Sequence, residues 1–146
     1  MAEANYTRYP PVGIGNVGSY QVAGTPFITG STAAGLALGA EAKIEFPAVT
    51  KRITVFASGS ASNIRVHFAS KDEGDGGAIA GEHFVELNNA TGGPVETESF
   101  TFNVKCKELY ITSRAASSGF KVYAELTRIP PREMYPLSGS GINELT

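Results

Sequence analysis

The chain has 146 residues, a formal net charge of −2 at pH 7, 17 glycines and a single cysteine. This length suits one domain with its own hydrophobic core, and a lone cysteine excludes an internal disulfide framework or a cysteine zinc site. The net charge is weakly negative, and no segment gathers lysines and arginines into a basic cluster. No stretch approaches the roughly 18 apolar residues of a membrane span. We therefore expect neither nucleic acid nor a membrane among its partners.

Residues 1–39 are predicted to form an extended N-terminal arm outside the folded body. Pro10 and Pro11 fix their own backbone angles and favour extended backbone just before them, while the surrounding glycines and tyrosines favour neither helix nor a compact core. The first residues lack a basic segment followed by an apolar one. We expect a soluble protein that is made in a cytoplasm and has no signal peptide.

A G-x-G-x-x-G pattern within this arm is formed by Gly13, Gly15 and Gly18. Phosphate binding by this motif needs a buried strand before the glycines and a helix after them. The flanking residues predict neither element. We interpret the pattern as a glycine-rich arm whose backbone approaches another surface closely, and we expect no cofactor.

Residues 40–128 are predicted to form a self-sufficient body of β-strands. Apolar and polar residues alternate there in seven short runs, as they do when one strand face is buried and the other is solvated. Turn-forming residues separate the runs, which predicts an all-β fold, an antiparallel β-sandwich of jelly-roll or immunoglobulin-like connectivity. Phe102 and Val122 are predicted core residues. The runs lie at 42–46, 53–57, 64–68, 85–87, 100–104, 109–111 and 120–126.

The segments between the runs have turn chemistry. We expect hairpins at 58–63 and 115–119 and a longer loop at 88–94. The acidic loop at 71–77 contains Asp72, Glu73 and Asp75, but their spacing fits no standard calcium loop, so we expect no metal. His67 and His83 are predicted to be surface histidines on polar strand faces.

No set of residues in the sequence indicates an enzyme. No serine lies in a G-x-S-x-G elbow, and Cys106 is expected to pack as a small hydrophobic side chain near a strand end. The carboxylates that could form a glycosidase pair are expected to lie separately on polar strand faces; they are Glu86, Glu96, Glu98 and Glu125. A hydrolase whose site assembles from strand faces and a carbohydrate-binding module that stacks sugars on exposed Tyr110 and Tyr123 are the alternatives.

Residues 129–146 are predicted to form a second extended arm, which Pro130 and Pro131 stiffen. Aromatic and apolar side chains on extended backbone need a surface to cover them, so we predict that both arms dock on neighbouring subunits. The alternative is that the arms fold back over their own body and cover an open edge. The predicted interface residues are Tyr6, Tyr9, Pro10, Val12, Tyr20, Phe27, Met134, Tyr135 and Leu137.

Residues 5–22, with the sequence NYTRYPPVGIGNVGSYQV, resemble the N-terminal arms of small virion structural proteins of tailed bacteriophages. The resemblance implies a capsid decoration or cement protein located in the virion, whose partners are the major capsid protein and neighbouring copies of itself. Tail, connector and head-fibre subunits share such a body and arms and remain alternatives. A glycan on the host surface is a further possible partner.

Overall fold

The structure is a computed structural model that describes residues 13–59, 61–70, 83–89 and 98–135. Eight strands form two four-stranded antiparallel sheets that pack as a sandwich, which confirms the predicted fold class. Strands β2 to β8 coincide with the seven predicted runs. The strands are β1 (Thr25–Gly30), β2 (Glu41–Glu45), β3 (Thr50–Ser58), β4 (Asn63–His67), β5 (Val85–Asn88), β6 (Ser99–Phe102), β7 (Glu108–Ser113) and β8 (Gly119–Leu126).

Two short helices flank the strands at the two ends of the described chain. The helix α1 (Gly18–Gln21) precedes β1, and a 3-10 helix (Pro131–Glu133) follows β8. Neither described helix has the length and apolar character that crossing a bilayer requires.

The strand order is that of a jelly roll. Sheet one has the order β1-β8-β3-β6 and sheet two the order β2-β7-β4-β5. The first strand therefore pairs with the last, the second with the last but one, and so on inward. The pairs are β1 with β8, β2 with β7, β3 with β6 and β4 with β5. The chain thus forms a long two-stranded ribbon that is wound into two sheets. Of the two connectivities that the sequence left open, this is the jelly-roll one.

The core lies between the sheets and is formed by alternate residues of each strand. Val55, Ile64, Ile111 and Val122 are among the residues that are almost completely shielded from solvent. Phe102 is 8 % exposed and Val122 fully buried, as the alternation predicted. The polar residues between them face outward, because successive side chains on a strand point to opposite sides.

Two predicted hairpins are wrong. The turn at 58–63 joins β3 in sheet one to β4 in sheet two, and the turn at 115–119 joins β7 in sheet two to β8 in sheet one. The prediction of a turn at 58–63 agrees with the structure, in which Gly59 has a positive φ of 101° that favours glycine. A tight turn does not determine whether its flanking strands pair, and in a jelly roll most such turns carry the chain across the core.

The boundary of the N-terminal arm at residue 39 is also wrong. Strand β1 lies within the predicted arm, yet it pairs along its whole length with β8. Phe27 points inward, and its ring packs edge-on against Phe46 with centroids 5.5 Å apart. Pro26 is tolerated because β1 is an edge strand, where a missing N–H costs no ladder bond.

We predict that Phe102→Ala lowers the free energy of unfolding by about 3–5 kcal/mol, as removal of a buried aromatic ring does. Phe100→Ala is the matched control, because Phe100 lies on the same strand with 45 % of its surface exposed and should cost well under half as much. Urea unfolding followed by circular dichroism measures both. Equal costs for the two variants would contradict the position assigned to Phe102.

Candidate functional site

A small apolar cluster, separate from the sandwich core, holds the two ends of the described chain together. Val49, Ile129 and Met134 form its buried centre, with Val49 and Ile129 fully buried and Met134 4 % exposed. Ile14 and Tyr20 from the N-terminal side and Tyr135 from the C-terminal side pack against this centre. We call these six residues the arm cluster.

The N-terminal part of the arm cluster is shaped by tight turns. The Gly13 N–H donates to Ser19 Oγ at 3.1 Å, and the Gly18 N–H donates to Asn16 Oδ1 at 2.9 Å. Helix α1 follows, so the G-x-G-x-x-G pattern forms a compact loop before a single helical turn. The Tyr20 hydroxyl donates to the Ile14 carbonyl at 2.7 Å, and burial raises the pKa of Tyr20.

Backbone pairing fixes the C-terminal part of the arm cluster to the start of β3. The Val49 N–H donates to the Ile129 carbonyl at 2.9 Å, and the Thr127 N–H and hydroxyl both donate to the Val49 carbonyl at 2.8 and 2.6 Å. Pro130 then has extended backbone, and the 3-10 helix brings Met134 back over Val49. This geometry places a buried side chain where an extended arm was expected.

Three lysines of the body donate to backbone carbonyls of the arm segments. Lys105 Nζ donates to the Ile14 carbonyl at 3.3 Å and lies 5.9 Å from the centre of the Tyr135 ring. Lys107 Nζ donates to the Met134 carbonyl at 3.4 Å, and Lys51 Nζ donates to the Val22 carbonyl. Sequence reasoning missed these contacts because they join residues up to 91 positions apart.

The arm cluster lies at one end of the sandwich. It adjoins Thr50 at the start of β3, whose partner is Leu126 at the end of β8, whereas Ser58 and Gly119 pair at the opposite end. Eight residues of strand separate the two ends, or roughly 26 Å at about 3.3 Å per residue. The described chain therefore begins and ends at the same end of the sandwich.

The structure describes four of the nine predicted interface residues, and all four contact their own chain. Phe27 is partly buried against the sandwich core and Met134 is buried in the arm cluster, so both side chains pack on their own chain, as the fold-back alternative has it. Docking of these residues on a neighbouring subunit stays a prediction. Tyr20 and Tyr135 are half-buried in the arm cluster. Tyr6, Tyr9, Pro10, Val12 and Leu137 lie outside the described residues.

His67 is fully buried rather than on the surface, which corrects the prediction for this residue; His83 is exposed as predicted. The alternation placed His67 correctly on the outward face of sheet two. The segment that follows it then covers the ring, since Ala69 O lies 2.6 Å from His67 Nδ1. Tyr110 on the neighbouring strand stacks on the same ring with centroids 6.0 Å apart.

The hydrogen bonds of His67 determine its tautomer. A carbonyl only accepts, so Nδ1 carries the proton and donates to Ala69; Nε2 then accepts from the Thr112 hydroxyl at 2.7 Å. Burial lowers the pKa of His67 despite the Glu41 carboxylate 4.0 Å from Nε2. Glu41 also accepts a hydrogen bond from the Ser70 hydroxyl at 3.0 Å. This polar network satisfies both ring nitrogens of His67 while the residue is fully buried.

Tyr110 and Tyr123 do not form one platform for a sugar. Tyr110 is 6 % exposed on β7 of sheet two, and Tyr123 is 36 % exposed on β8 of sheet one. The two rings belong to opposite sheets. The Tyr110 hydroxyl donates to Glu108, whose carboxylate is paired with Lys43 and raises the pKa of that lysine through a hydrogen bond.

The remaining candidate residues are separated from one another. Cys106 is 1 % exposed and packs in the core as the expected small hydrophobic side chain, and this burial raises the pKa of its thiol to about 11. Glu86 pairs with Arg114 on sheet two and Glu125 with Arg52 on sheet one, while Glu98 accepts from the Asn88 N–H. Glu96 and the acidic loop with Asp72, Glu73 and Asp75 lie outside the described residues. Within the described ranges, no group of three or more potential ligands could hold a metal ion.

Comparison with known proteins finds no family model, no curated protein and no solved structure that matches the chain.

We predict that His67 makes the protein less stable as the solution becomes acidic. The pKa of His67 is lowered in the folded state. Below the ordinary histidine pKa of 6.5, the unfolded chain therefore binds more protons than the folded chain. The free energy of unfolding should then fall by about 1 kcal/mol per pH unit below pH 6, until the folded-state pKa is passed. His67→Gln should flatten this slope, whereas His83→Gln, at an exposed position, should leave it unchanged. Urea unfolding measured at several pH values tests this, and a slope that His67→Gln does not alter would refute it.

Proposed function

We propose that the chain is a non-enzymatic structural protein of a bacteriophage virion, a capsid decoration or cement protein that attaches to the shell and to neighbouring copies through its two arms. One observation carries the proposal: the arm cluster brings the first and the last described segments of the chain to the same end of the sandwich. A molecule built in this way has one attachment end and one free end.

At the attachment end, the body contacts the described base of each arm and holds it in place. Lys105 contacts both arm segments, the N-terminal one through the Ile14 carbonyl and the C-terminal one through the Tyr135 ring. An arm that is ordered at its base loses less conformational entropy when the rest of it docks. Tyr6 and Tyr9 lie only a few residues before this base and are the aromatic anchors that we propose for the partner surface.

Symmetry favours this use of a small protein. A shell presents the same docking surface many times, so modest contact energy for each arm is repeated around the particle. An arm that reaches a neighbouring copy links the two subunits and adds to the binding of both.

The alternatives receive less support from the described residues. The alternative of a sugar-stacking module would use Tyr110 and Tyr123, and these lie on opposite sheets. A subunit of the tail, the connector or a head fibre would use the same arms. These alternatives are distinguished from a capsid protein by testing which purified part of the particle retains the protein.

Deleting residues 1–12, or replacing both Tyr6 and Tyr9 by alanine, should weaken retention on decoration-free capsids by more than about tenfold, since an aromatic anchor contributes about 2 kcal/mol or more. Tyr123→Ala is the control, because Tyr123 is an exposed tyrosine on the outward face of sheet one. Co-sedimentation measures retention, and thermal unfolding verifies that each variant folds. Equal retention of arm and control variants would contradict the proposal; retention on purified tails rather than capsids would move the protein to the tail.

A further inference from the structure

The attachment end carries positive charge that the described carboxylates do not neutralise. Lys51, Lys105 and Lys107 each bond a carbonyl, and none lies within ion-pair distance of a described carboxylate. The carboxylates that do form ion pairs are engaged elsewhere by Lys43, Arg52, His67 and Arg114. In a chain with a net charge of −2, these three lysines form a local basic surface.

An open cavity of about 370 Å³ lies on this basic surface. Its lining consists of Tyr20, Lys51, Asn103, Val104 and Lys105. Tyr20 supplies an aromatic wall and Val104 an apolar contact, while the two ammonium groups supply charge. The combination of charge, apolar wall and moderate size suits a side chain that has both an apolar stem and an anionic head.

Hydrogen-bonding capacity remains at each polar group of the cavity. An ammonium group has three donors, and one of them is used by each lysine for an arm carbonyl. Asn103 Oδ1 accepts from Arg52 Nε at 3.2 Å, which leaves the amide N–H groups of Asn103 as donors. The cavity is thus rich in donors, and a carboxylate, which only accepts, complements it.

We propose that this cavity binds a glutamate- or aspartate-containing peptide segment of a partner protein. The proposal rests on the proposed function in one respect, namely that the partner is the shell or a neighbouring copy. Bonds between ammonium groups and carboxylates are shorter and stronger than neutral ones, so two lysines and an asparagine amide can position one acidic side chain. The acidic segment then docks beside the arms and orients the attachment end.

The test uses the full-length protein and a hexaglutamate peptide, with hexaglutamine as the uncharged probe. Backbone amide NMR signals of Asn103 and Val104 should shift saturably with hexaglutamate and not with hexaglutamine. The double variant Lys51→Gln/Lys105→Gln should weaken binding about tenfold or more, because it removes both charge-assisted hydrogen bonds to the carboxylate. Lys51→Arg/Lys105→Arg keeps the charge and should retain most of the binding.

Lys121→Gln is the matched control, because Lys121 lies on β8 near the opposite end of the sandwich. Thermal unfolding establishes that each variant is folded. Binding that Lys121→Gln weakens as much as the double variant, or shifts that inorganic phosphate reproduces at the same concentration, would overturn the peptide site.

Failure of the site and failure of the proposed function give different results. If hexaglutamate binds through Lys51 and Lys105 while deletion of residues 1–12 leaves capsid retention unchanged, the acidic-peptide site stands and the cement function does not. If the deletion abolishes retention while hexaglutamate fails to bind, the arms attach the protein and the acidic-peptide site is refuted.

Discussion

The contact between Val49 and Ile129 is the constraint on which the rest of the molecule's organisation depends. Both residues are fully buried, and the Val49 N–H donates to the Ile129 carbonyl, so the end of the paired ribbon is tied to the start of β3. Met134 and Tyr20 then have a surface on which to pack. Because Ile14 and Tyr20 from the N-terminal side and Tyr135 from the C-terminal side pack against this centre, the described chain begins and ends at the same end of the sandwich.

The sandwich provides the rigid support for that arrangement. Its strands pair first with last, so β1 and β8 are close in space although about 100 residues separate them in the chain. Pairing of this kind is slow to form, because distant parts of the chain must meet before their contacts contribute any stability. The basic surface of Lys51, Lys105 and Lys107 lies on this support, at the end where the described chain begins and ends.

Seven of the eight described strands could be predicted from the sequence. Their apolar residues face the core at every second position, and this alternation indicates which side chains are buried. It failed for β1, where Phe27 points inward but Ile28 is 73 % exposed on the outward face, so the alternation carries no clear signal. It also failed for His67, since outward orientation was equated with exposure although Ala69 folds back over the ring. The arm cluster and its lysine contacts were beyond reach, because they depend on residues far apart in the chain that only the jelly-roll connectivity brings together.

The orientation that the proposed arm attachment gives the protein on a capsid is the most direct test of the proposal. Cys106 is 1 % exposed, so a second cysteine can be labelled selectively. Arg132→Cys places an exposed thiol beside the arm cluster, and Ser117→Cys places one at the opposite end. In free protein both should react with a maleimide reagent; on intact particles only the thiol of Ser117→Cys should react. Equal reaction of both thiols on particles, or selective protection of the Ser117→Cys thiol, would contradict attachment through the arm-bearing end.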